Sequence, residues 1–175
     1  MTEAPAFSVV ADVAIVKGEN PAADLIWLTF PDGTARRAVV HVIRDLPHLV
    51  VESVFGLGDG VWGTLATSAP SRATRPGRLR LVGDAPPDEP GTLSAAAVSA
   101  VLNRWGDGPD TPPGVRARLR CSGPDAAELA GRLDDKTIRI AAAGVRRLYR
   151  DWSALPPGGT LRLTWPLHAS WLRLL

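Results

Sequence analysis

The stretch LIWLTFPDGTARRAVVHVI, residues 25–43, decides the fold. Two runs rich in β-branched and aromatic residues, 25–30 and 37–43, flank Pro31-Asp32-Gly33-Thr34. Proline presets φ for the first central position of a turn and glycine accepts a positive φ, so the stretch reads as a hairpin. On its N-terminal side, FSVVADVAIV (7–16) alternates: Val9, Ala11, Val13 and Ile15 share one face, while Ser8 and Asp12 lie on the other, as a half-buried strand requires. Far along the chain, TLRLTW (160–165) repeats the pattern, with Leu161, Leu163 and Trp165 set against Thr160, Arg162 and Thr164. No βαβ alternation is visible. The expectation is an α+β fold: a mostly antiparallel sheet of N-terminal strands and a C-terminal strand, with several helices packed on one face.

The segments between the strands read as helices. Asp45 is expected to N-cap a helix from about Leu46 to Phe55, with Pro47 tolerated in its first turn. GLGDG interrupts it, and a short helix from Val61 to Ala66 follows. Residues 68–91 are rich in proline, glycine and small polar residues, which marks a long connection or insertion within a single 175-residue domain. Thr92 caps a helix through about Arg104, Thr111-Pro112-Pro113 opens another, Pro124-Asp125 a third, and Asp134 or Asp135 caps the longest, about Lys136 to Trp152. In that last helix Ile138, Ala141, Ala142, Val145, Leu148, Tyr149 and Trp152 follow the 3, 4, 7 spacing of one buried face.

Composition narrows the functional classes. A 45% hydrophobic, 22% charged chain with six Trp has the means to build a packed core. Its single cysteine, Cys121, excludes an intramolecular disulfide and a multi-cysteine zinc site. The opening MTEAPAF has neither a basic n-region nor an apolar h-region, and no stretch approaches ~20 apolar residues. A soluble, cytoplasmic protein without a membrane partner is therefore expected. A net charge of +2 points to no electrostatic partner.

The most suggestive cluster for chemistry is HVIRDLPHLVVE, carrying His41, Asp45, His48 and Glu52. His48 and Glu52 are four apart and share a helix face, with Asp45 one turn earlier. An imidazole held by a carboxylate can act as general acid or base, with Asp45 orienting it. The simpler reading makes Asp45 only a cap and His48–Glu52 a local pair on the helix rim. No HExxH-like spacing occurs, so no metal is assigned.

A second candidate is the inter-helix segment carrying Asn103, Arg104, Trp105, Asp107 and Asp110, whose mixture of charge and aromatic surface could line a ligand mouth. Ordinary helix termination explains the same residues. Lys136, Arg139, Arg146 and Arg150 lie opposite the apolar stripe of the long helix, with Arg147 nearby and Arg116 and Arg120 four apart on another. Such a face can neutralise phosphates, yet more often it is simply solvated. GxSxG, P-loop and strand-linked GxGxxG motifs are all missing, so no cofactor is expected.

Three functional readings follow, in order of preference. The first is a small-molecule-binding or interaction domain without a conventional catalytic motif. The second is a small cofactor-independent enzyme of isomerase, cyclase or lyase type, using His41, His48 or Glu52 in an apolar pocket. The last is a nucleic-acid-binding protein using the arginine face. The apolar tail from His168 to Leu175 is expected to pack on the core, with a homodimer contact as its second use.

Overall fold

A computed structural model of the chain describes residues 10–20, 24–40, 42–58, 60, 62–63, 93–103, 111–167 and 171. Three consecutive strands, β1 (Ala11–Val16), β2 (Asp24–Thr29) and β3 (Ala35–Val40), lead into helix α1 (Val42–Phe55). Helices α2 (Leu93–Leu102), α3 (Pro112–Cys121), α4 (Pro124–Arg132) and α5 (Asp135–Ser153) follow, and β4 (Thr160–Trp165) closes the fold. The strands form one antiparallel sheet in the order β3-β2-β1-β4, so the last strand pairs with the first. The architecture is α+β.

The hairpin forms for the reasons its sequence offers. Gly33 takes φ +80°, Phe30 and Thr34 are joined by a backbone hydrogen bond of 2.9 Å, and the Asp32 carboxylate accepts from both the amide and the hydroxyl of Thr34. Alternation then sorts the two faces of the sheet. Ala11, Val13, Ile15, Ile26, Leu28, Leu163 and Trp165 are buried, and Asp12, Trp27, Thr29 and Arg162 are exposed on the opposite side. The buried face joins the helices in one hydrophobic cluster.

Two helix starts illustrate the local rules. Thr111 caps α3, its hydroxyl accepting from the Gly114 amide at 3.4 Å, and Asp134 caps α5, accepting from the Thr137 amide at 2.6 Å. The far end of α5 is closed from the sheet: Lys17 donates to the carbonyls of Trp152 (3.2 Å) and Leu155 (2.7 Å), placing a cation at the negative end of the helix. Arg118, also buried, donates through Nε to the Ala100 carbonyl at 2.9 Å and ties α3 to α2.

One expectation is corrected. Asp45 is not the cap of α1: the helix begins at Val42, so Asp45 lies in its first turn and Pro47 inside it. Pro47 has no N–H to give to the carbonyl of residue 43, a loss of about 3 kcal/mol in an exposed helix interior. Burial of Leu46, Leu49, Val50, Val51 and Phe55 from the same helix offsets it. The connection at 68–91, the Thr92 cap and most of the 61–66 helix lie outside the described residues; Trp62 and Gly63 are helical.

Candidate functional site

The residues singled out on α1 meet in the core. Glu52 has no solvent exposure. Its Oε2 accepts from the backbone amides of Trp62 (2.8 Å) and Gly63 (3.1 Å), and its Oε1 from the Ser94 hydroxyl (2.8 Å). His48, four residues earlier, reaches both Glu52 Oε1 (3.3 Å) and Ser94 Oγ (3.1 Å) through the same ring nitrogen, Nδ1. Asp45 is buried one turn before His48, and its carbonyl accepts from the Trp62 indole at 3.3 Å. His41 lies outside the described residues.

This geometry has definite chemical consequences. A proton relay of the Ser-His-acid kind needs its two partners on opposite nitrogens of the imidazole. Here both contacts fall on Nδ1, and the hydroxyl donates directly to the carboxyl group. Ser94 and Glu52 are both sealed from solvent, while the His48 side chain is 15% exposed. The cluster ties three segments together: α1, the 60–63 segment and the start of α2. Gly60 belongs to the same arrangement, because a Cβ there would collide with Glu52 Oε1 and Ser94 Oγ. Ser94 escapes a reading of the sequence, where it is one small residue in LSAAAVSAVL. The glycine density of GLGDGVWG was the available sign that backbone passes close to another group.

At the second candidate, Asn103 takes a left-handed φ of 49° and ends α2. Arg104, Trp105, Asp107 and Asp110 lie outside the described residues. The described flanks of that segment, Leu102 on one side and Thr111 and Pro112 on the other, line a cavity of about 290 Å³ between α2, α3 and α5. Its walls include the buried side chains of Val101, Val115, Ile138 and Val145. Arg139, Ala142, Arg146 and Tyr149 from α5 also line it.

The arginine face is largely matched by acids. Arg116 and Arg139 both pair with Asp135, and Arg147 and Arg150 with Asp151. Exposed Arg146 has no hydrogen bond or ion pair among the described residues.

A further concavity, of about 540 Å³, is lined by the outward-facing residues of β1, β2 and β4 together with Leu163, Leu167 and Trp171. Among its lining residues is Ala14, a small residue in register with two large ones, Trp27 on β2 and Arg162 on β4. Beside it Asp12 is in register with Thr29 on one side and Thr164 on the other. Trp171 lines the same cleft and is held from α5, where Arg147 stacks on its ring at 4.7 Å and donates to its carbonyl at 3.0 Å. Strand alternation placed Asp12 and Arg162 on the outer face; the wall contributed by Trp171 had no sequence signal, since it depends on how the chain turns after β4.

Among the described residues no three His, Cys, Asp or Glu side chains converge as a metal site, and no helix is long and apolar enough to cross a membrane. No protein-family model, no curated protein and no solved structure matches the chain.

Proposed function

We propose that the protein is a small-molecule-binding domain that does no conventional chemistry of its own, and that its ligand seats in the cavity between α2, α3 and α5. The observation that carries this reading is the character of that cavity: buried aliphatic walls, with exposed Arg146 among its lining residues and, among the described residues, no acid paired with it. Binding sites of this kind are mostly apolar with a few polar groups that fix orientation. The ligand that fits is an apolar body bearing one negative charge, directed at Arg146. The acid–base alternative is weaker, because Glu52 and Ser94 spend their hydrogen-bonding capacity inside the core and neither reaches solvent.

The test is calorimetric titration with octanoate and 2-naphthoate, each beside its uncharged alcohol. The acids bind and the alcohols bind more weakly. Ala142→Trp, at a half-buried position of the lining, fills the cavity and abolishes binding, while Arg146→Ala weakens it about tenfold. Equal binding of acid and alcohol, or binding that survives both substitutions, removes this cavity as the site.

A further inference from the structure

The cleft lined by Asp12, Ala14 and Arg162 carries a separate inference. Strand pairing places Asp12 and Arg162 on neighbouring strands, two positions out of register: Asp12 opposes Thr164, and Arg162 opposes Ala14. Both are exposed, and among the described residues neither side chain makes a hydrogen bond or an ion pair. One free anion and one free cation thus line a single concavity, with Ala14, in register with Arg162, also in its lining. Trp171 adds an aromatic wall beside them, held in place by Arg147, itself paired with Asp151 at 3.4 Å. Thr29 and Thr164 supply hydroxyl groups that can both donate and accept.

We infer that this cleft binds a zwitterion of dipeptide length, its carboxylate on Arg162 and its ammonium group on Asp12. A guanidinium presents a planar fork of donors that matches a carboxylate, and an ammonium group is bound by a carboxylate and by the face of an aromatic ring. The length follows from the sheet. Diagonal neighbours on adjacent strands have Cα atoms roughly 7–8 Å apart, and side chains standing off the sheet side by side carry their end groups at about that spacing. A free amino acid carries both charges around one carbon and falls short of that span, whereas two extended residues cover about 7 Å. The Thr164 hydroxyl, opposite Asp12 and two residues from Arg162 on the same strand, then meets the ligand's central peptide group, while Thr29 flanks the ammonium end. A volume of about 540 Å³ also falls in the usual range for small-ligand sites.

The experiment is a titration of the isotope-labelled protein with alanyl-leucine, followed by amide and indole resonances. Free leucine and the N-acetylated and amidated dipeptides are run beside it. The dipeptide shifts the amides of β1 and β4 and the indole of Trp171. Each blocked form, and free leucine, binds at least about tenfold more weakly. Asp12→Asn and Arg162→Gln, at positions without partners, keep the wild-type melting temperature and each cost a similar factor. The inference is overturned if the dipeptide leaves β1 and β4 unmoved at millimolar concentration, if either blocked form or free leucine binds as well, or if the shifts fall on α2, α3 and α5. That last outcome would leave the helical cavity standing as a site while removing this one.

Discussion

At Glu52 two carboxyl oxygens meet two backbone amides and a hydroxyl, all out of contact with solvent. Removing the side chain therefore leaves buried donors unsatisfied, and their desolvation sets the cost. Glu52→Ala is expected to lower stability by about 3–5 kcal/mol, and Glu52→Gln, which keeps an oxygen for the Trp62 and Gly63 amides, by about 1–2 kcal/mol. Urea denaturation checks the order; a glutamine variant as unstable as the alanine one would show that the hydrogen bonds are not what holds this site. Half of the cluster was legible in the sequence. The i, i+4 spacing brings His48 to Glu52 by helix geometry alone. Ser94 lies 42 residues away and arrives through the packing of α2 on α1, which no local pattern encodes. The same packing moves Glu52 from the expected helix rim into the core.

Among the elements, α5 was the most legible and α1 the least. The apolar stripe of α5 fixes its buried face, and Asp134 stands where a cap is needed. In α1 the local signals, Asp45 and Pro47, pointed to a start after position 45, but the helix starts at Val42 and is held by burial of Leu46, Leu49, Val50, Val51 and Phe55. Asp134 also makes the stability of α5 dependent on pH. Hydrogen bonds from the Thr137 amide, and then from its side chain, hold the carboxyl group below its ordinary value of 3.8. A depressed folded-state pKa contributes stability that is present above the unfolded value and lost as pH falls through the folded one. Asp134→Ala should accordingly melt below wild type at neutral pH, and the gap should close as pH falls below 3.8. Asp134→Asn caps without titrating, so its melting temperature should approach that of wild type in acid. Thermal melts across this range decide it: an alanine gap that does not change with pH would mean that the carboxylate is not the capping group.

Across the whole molecule the sheet depends on its two ends. β1 and β4 lie about 150 residues apart in sequence yet pair along their full length, and the turn before β4 is pinned by hydrogen bonds between Lys17 and residues 158 and 159. Alternation in both strands was enough to foresee that first and last segments close the sheet. It could not foresee either cavity, because each is walled by side chains from three or more elements whose relative placement is set only on folding. The pairing also makes β4 a structural requirement of the whole. Without residues 160–175, β1 loses one of its two partners and becomes an edge strand, and Leu163, Trp165 and Leu167 leave the core. Leu167 further donates its amide to Ser53 of α1 at 2.7 Å, so the loss reaches the helical layer as well. Deleting three buried side chains of this size costs about 2–5 kcal/mol each, comparable in sum to the ~5–15 kcal/mol that holds a domain together. A chain ending at residue 159 should therefore lose cooperative unfolding and its near-ultraviolet dichroism, and a synthetic peptide covering 156–175 should restore both when added in excess. If the shortened chain still unfolds in one sharp transition, the sheet is held by the β1–β2–β3 meander alone and β4 is an addition to it.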